Sequence, residues 1–175
     1  DYVTRVLLQP FGETKLLAIG GNFRYGTSAP ASADATKDDW RMRWGVEGNF
    51  NWKNFTLQGE YIYGEDNGSY MVGGGCGDPG EIVEGSIERQ GWYFTAMYMT
   101  NWRLQPVFKY EYFDSDVSKS DQLQYVTTIG LNYFFNDWTR LQVNYLLVDS
   151  YQTIESQIGN MPLNNLLMVQ FQAKF

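Results

Sequence analysis

The last eleven residues, 165–175, read NLLMVQFQAKF, and their alternation decides the fold. Leu167, Val169, Phe171, Ala173 and Phe175 fall on one side; Leu166, Met168, Gln170, Gln172 and Lys174 fall on the other. Successive side chains of a β-strand point to opposite faces, so a period of two marks a strand with one apolar and one polar face. The stretch upstream, TRLQVNYLLV (139–148), repeats the pattern, with Leu141, Val143, Tyr145 and Leu147 against Arg140, Gln142 and Asn144. In WRMRWGVEGNF (40–50), Trp40, Met42, Trp44, Val46 and Phe50 alternate with Arg41, Arg43, Glu47 and Asn49.

Working outward gives nine strands, at 2–10, 16–26, 40–50, 55–63, 89–99, 104–113, 122–135, 139–148 and 165–175. No segment carries a helical stripe longer than two turns. Most of these strands span about 9–11 residues, the length that crosses a hydrocarbon layer, against about 5–6 in ordinary globular sheets. Their connections alternate short and long: FGETK, NWKN, TNWR and NDW are short, whereas 27–39, 64–88, 114–121 and 149–164 are longer. Up-and-down outer-membrane barrels have short periplasmic turns and longer extracellular loops. The expected class is therefore all-β, a transmembrane antiparallel up-and-down β-barrel. Assigning direction from the loops places Asp1 at the extracellular side and Phe175 in the periplasm. Because single-chain bacterial barrels have even strand numbers, nine strands predict an incomplete barrel with at least one strand before residue 1. The alternative is a closed eight-stranded barrel in which the first of the nine is not a strand.

Composition narrows the chemistry. The chain has 175 residues, a net charge of −7 and no histidine. The acidic balance argues against nucleic acid as a partner. Without His, neither a Ser-His-Asp triad, a Cys-His pair nor the usual catalytic zinc site can be assembled, so an enzyme is not expected, nor any cofactor or metal. Cys76 has no partner for a disulfide or a CxxC site. GGGCGDPG (73–80) follows no strand–helix signal and reads as a loop rather than a phosphate cradle. The segment 114–121, DSDVSKSD, has calcium-type oxygens but lacks the Gly and terminal Glu of an EF-hand, and reads as a solvated loop. Asp38, Asp39, Glu65 and Asp66 read as loop charges, and Gly21, Gly48 and Gly59 as outward glycines that relieve crowding against aromatic neighbours. No apolar run approaches the roughly 18 residues of a membrane helix. The chain opens on Asp1 with no signal peptide, so either one has been removed or this is a piece of a longer polypeptide.

The aromatics, 13 Tyr, 11 Phe and 6 Trp, exceed what an acidic soluble domain needs. Three short turns place an Asn just before a Trp, giving Trp52, Trp102 and Trp138. An indole ring favours the headgroup level, where one edge is apolar and its N–H stays wet, so these three form an expected aromatic girdle. On the lumen-facing positions fall Arg5, Arg24, Arg41, Arg43, Lys109, Arg140 and Lys174, with Glu47, Glu60 and Glu111, a net of +4. Basic groups in a low-dielectric pore concentrate anions. The competing account is that Arg and Glu pair across strands and fill a narrow barrel.

The run TTIGLNYFFNDWTRLQVNYLLVD (127–149) resembles the penultimate hairpin of the phosphate-selective porin O/P family. LQGEYIYG (57–64), QGWYFTAMYM (90–99), LQPVFKYEYFD (104–114) and the early YVTRVLLQPF are similar to other strands of that family. The terminal Phe175, with Phe171 and alternate apolar residues before it, resembles the signal read by barrel-assembly machinery. The resemblance implies the C-terminal part of a 16-stranded, homotrimeric porin in a Gram-negative outer membrane, in contact with the bilayer and lipopolysaccharide. It implies passive diffusion of small anions such as phosphate through an arginine-lined channel, with Arg24, Arg41, Arg43 and Arg140 at fitting positions. The other reading is a small closed structural or adhesive barrel that does not conduct.

Overall fold

The computed structural model describes residues 1–12, 16–28, 39–72, 81–120, 122–150 and 165–174. They form nine strands in one antiparallel sheet: β1 (Tyr2–Leu8), β2 (Leu17–Ser28), β3 (Asp39–Trp52), β4 (Phe55–Val72), β5 (Glu81–Tyr98), β6 (Leu104–Asp114), β7 (Leu123–Asn136), β8 (Thr139–Ser150) and β9 (Leu166–Ala173). Each strand pairs with its neighbours in sequence, β1 to β9 in order, and the sheet is open. The first strand is present, in register with β2 from Tyr2↔Tyr25 to Leu8↔Ile19, so these residues do not make a closed eight-stranded barrel. No helix among the described residues is long and apolar enough to cross a membrane.

The turn at one end of β3–β4 is two residues, 53–54, and that of β7–β8 is two, 137–138. Lys53 adopts φ 52°, and its ammonium sits 4.9 Å over the Trp52 ring. Arg103, at φ 61°, accepts the Phe134 N–H on its carbonyl and donates from Nη1 to Phe135 O at 2.6 Å, which straps the β5–β6 turn to β7. This turn end carries Trp52, Trp102 and Trp138, all more than half exposed. At the opposite end β2, β4, β6 and β8 finish.

The sharpest departure from the sequence reading lies between residues 64 and 88. The expected long loop is mostly strand: β4 and β5 run 18 residues each, in register to Val72↔Glu81. The β3 ladder ends at Trp40↔Asn67 and the β6 ladder at Gln90↔Asp114, so the β4–β5 ribbon stands beyond its neighbours. Its sequence hides the strand because the polar run GEDNGS (64–69) has the composition of a turn and breaks the alternation. Cys76 and the 73–80 glycines lie outside the described residues, as does Phe175.

No hydrophobic residue among the described ones is buried. One face of the sheet, called outer below, instead exposes Phe23, Val46, Phe94, Ile129, Leu131, Val169 and their neighbours. Soluble proteins fold by burying such groups; this sheet leaves a whole face of them uncovered. Aromatic rings gather at two levels of that face. Near the turn end Phe135 meets Tyr133 at 4.8 Å and Phe171 at 6.2 Å. Near the loop end Trp44 packs on Tyr61 and Tyr63, and Trp92 on Tyr110 and Tyr112, with centroids 5.4–6.1 Å apart. On β3 the eight residues from Trp44 to Trp52 separate the two levels by about 26 Å along the strand. The sequence reading found only the level at the turns. Its account of the outward glycines is not borne out: a Cβ at Gly48 would meet nothing within 4 Å, and one at Gly21 or Gly59 would meet backbone oxygens rather than rings.

In the 114–120 segment residues 117–120 are exposed, as in a solvated loop, but Asp114 and Asp116 are not. Asp114 and Asp116 are 5% and 8% exposed. Asp114 accepts the Tyr112 hydroxyl at 3.2 Å and the Asp116 N–H at 3.2 Å. Asp116 accepts Ser118 Oγ at 2.6 Å and the Lys119 ammonium at 2.8 Å, while Val117 N–H donates to Glu88 O at 3.0 Å and docks the loop on β5. Lys119 first, then Ser118, holds the Asp116 carboxyl below the ordinary range. A depressed folded value means the stabilisation is present at and above the ordinary Asp value and is lost only as pH falls through the folded one. Amide protection at Ser118 and Lys119, corrected for intrinsic exchange, is expected to stay flat from neutrality to about pH 4 and to fall below it. Loss of protection already between pH 6 and 5 would contradict this.

Candidate functional site

The polar face is built from the same alternation that makes the outer face apolar. The register puts Arg5, Arg24, Arg41, Arg43, Glu47, Glu60, Lys109, Glu111 and Arg140 on one inner face, with Lys174 following the inner Gln172. Two further residues belong with them. Asp66 lies opposite Ile87 on β5 and two residues beyond Gly64, and Arg89 is opposite Gly64; Asp66 stands in β4, not in a loop. The inner face is layered.

Nearest the loop end, one carboxylate gathers three guanidiniums. Arg43 donates from Nη2 to Asp66 Oδ1 at 2.6 Å, Arg89 bonds Asp66 Oδ2, and Arg41 Nε stands 3.9 Å from Oδ1. Arg43 is fixed further by Nη1 donating to Met42 O at 2.7 Å and Glu65 O at 3.0 Å. Its side chain lies flat across β4 because Gly64 has no Cβ, which would fall 2.7 Å from Arg43 Cδ. Arg24 is beside this group on β2 and pairs with Asp1 at 3.0 Å. Three cations against one anion leave the Asp66 cluster with an excess of two positive charges.

The next polar layer toward the turns is a row across four strands, Glu47↔Glu60↔Tyr93↔Glu111. Like charges directly opposite one another are unfavourable, and two bases offset them. Glu47 leans over Gly20 to meet Arg5 of β1, a position that a Cβ at Gly20 would block. Lys109 bonds Glu111 at 2.7 Å and lies 4.9 Å over the Tyr93 ring. Nearer the turns on β6–β8 amides line the face: Asn132 donates to Gln105 Oε1 at 2.9 Å and accepts Gln142 Nε2 at 2.9 Å. Arg140, in this region, donates from Nε to Gln172 Oε1 at 2.8 Å.

The structure therefore brings Arg41 and Arg43 together, brings Glu47, Glu60, Glu111, Arg5 and Lys109 together, and leaves Arg140 and Lys174 apart near the turn end. It also redistributes the charge count. Among residues whose side chains are described, the additional inner-face charges are Arg89, Asp66, Asp39, which stands in β3 rather than a loop and opposite Ser28, and Asp1, paired with Arg24. One base and three acids added to the expected set reduce its excess from +4 to +2. By level, the loop end carries four bases and three acids, the middle row two bases and three acids, and the turn end Arg140 and Lys174 among its amides. Among the described residues no cluster of His, Cys, Asp and Glu could hold a metal ion. Asp66 escapes a sequence reading because GEDNG (64–68) has the chemistry of a turn, although the parity of Glu60 and Gly64 carried two residues further finds it; Arg89 lies within the strand read at 89–99, and its parity with Tyr93 marks it as inner.

The family model described as phosphate-selective porin O and P matches residues 20–175. No curated protein matches the chain.

Proposed function

Because the chain belongs to the phosphate-selective porin O and P family, we propose that it forms part of the wall of an outer-membrane channel through which small anions diffuse passively. The outer face then meets lipid. A sheet with no buried hydrophobic residue among those described and an uncovered apolar face needs a nonaqueous medium on that side. The two aromatic levels suit the girdles that flank the roughly 25 Å apolar band of such barrels. Closure into a complete barrel satisfies the open edges of β1 and β9, which are very costly to leave unpaired in hydrocarbon. Trimeric association, residence in a Gram-negative outer membrane beside lipopolysaccharide, and delivery by barrel-assembly machinery belong to the same reading and rest on family membership.

The observation that carries anion selectivity is the Asp66 cluster, three guanidiniums to one carboxylate. Guanidinium groups offer paired donors to phosphate or carboxylate oxygens. The glycines at 20 and 64 let charged side chains lie against the wall and keep the passage clear. The protein reconstituted into planar bilayers is expected to give stepwise conductance with a reversal potential on the anion side under a salt gradient. Absence of conductance would refute the channel, and a cation-side potential would refute the selectivity.

A further inference from the structure

Among the large apolar side chains of β2–β8 that are strongly exposed, nearly all face outward; the exceptions are Ile62 and Phe113, 44% and 47% exposed on the inner face. They are not scattered. The register runs Ile62↔Gly91↔Phe113, and the Phe113 ring lies along the Gly91 backbone, 3.3 Å from where a Gly91 Cβ would stand. Together they floor a hollow of about 330 Å³ whose walls include Arg43 and Arg89 on one side and Glu60 and Glu111 on the other. Each wall lies two residues along the strand from the platform, about 7 Å. Bare phosphate would engage only the guanidiniums and leave the platform wet.

We propose that this hollow binds organic anions with a flat apolar body, of the class of aryl phosphates and aryl carboxylates. The proposal rests on the reading of the inner face as an anion passage. The acid group meets Arg43 and Arg89, the ring covers Gly91 between Ile62 and Phe113, and Glu60 with Glu111 turn away a second negative charge. Orientation follows from that charge order: acid toward the loop end, apolar end toward the turns. A glycine at position 91 is what makes room for the ring.

Calorimetric titration of the protein in detergent micelles with phenyl phosphate and with inorganic phosphate tests this. Phenyl phosphate is expected to bind at least about fivefold more tightly, as partial removal of an aryl ring from water requires. The double substitution Ile62→Ala, Phe113→Ala is expected to bring the ratio within about twofold, and so is Phe113→Gln, which preserves side-chain length if the double variant fails to fold. Phosphate binding with a ratio near one in the unsubstituted protein, or a ratio unchanged in both variants, would overturn the hollow alone. Binding of neither ligand would overturn the anion passage and the hollow with it.

Discussion

Ile129→Arg is expected to destabilise the protein folded in phospholipid vesicles by about 2–4 kcal/mol, whereas Gln58→Arg shifts it by no more than about 0.5 kcal/mol. Ile129 is near the middle of β7, between Phe108 of β6 and Tyr145 of β8 on the outer face, and is 56% exposed. In water, so exposed a position tolerates almost any side chain. At the middle of a hydrocarbon layer the same guanidinium loses its hydration, and the distance to either interface is too long for full snorkelling. Gln58 is on the inner face, opposite Asn49 and Thr95, where an added guanidinium stays hydrated. Comparing guanidinium-chloride unfolding midpoints of the two variants therefore reads which face meets lipid. Equal small shifts would mean that the outer face is wet, and a larger loss for Gln58→Arg would invert the assignment of faces.

The contrast between these two positions also locates what a sequence discloses. Alternation is a signal of asymmetry between faces, so it is strong in β3, β7, β8 and β9, where one face is apolar and the other polar. All nine strands were legible for that reason, and so was membership of the porin family, carried by the β7–β8 hairpin. The signal vanishes where the alternation breaks: beyond Gly64 the polar run EDNGS interrupts it, and 18-residue strands look like a loop. The partnership of Arg43, Arg89 and Asp66 depends on inter-strand register, Arg43↔Gly64↔Arg89, and register is not written in any one strand. The Ile62–Gly91–Phe113 platform is hidden in the same way, since each residue alone is an unremarkable apolar or small residue at an inner position. At Asp114 and Asp116 the reason is different: composition reports their charges but not that Tyr112, Ser118 and Lys119 satisfy them internally.

Removing Arg43 and Arg89 together is expected to abolish anion selectivity, moving the reversal potential under a salt gradient to zero or to the cation side. The direction follows from the local count. With both arginines present, Asp66 is outnumbered three to one; with both replaced by Ala, it faces only Arg41, 3.9 Å away. The cluster's excess of two positive charges becomes none, and the carboxylate row at Glu47, Glu60 and Glu111 dominates the next layer. Each charged hydrogen bond to a phosphate oxygen is worth about 1.5–3 kcal/mol, so the double variant should bind inorganic phosphate at least about a hundredfold more weakly. Asp66→Asn supplies the opposite arm. It frees the guanidiniums from their shared counter-ion, leaves three positive charges, and is expected to raise anion selectivity and prolong the dwell of phosphate. A purely structural role for the cluster predicts that both changes lower folded yield and leave selectivity alone. Opposite displacements of the reversal potential in variants that retain conductance would show that the balance of charge around Asp66 sets the selectivity, and identical displacements would refute it.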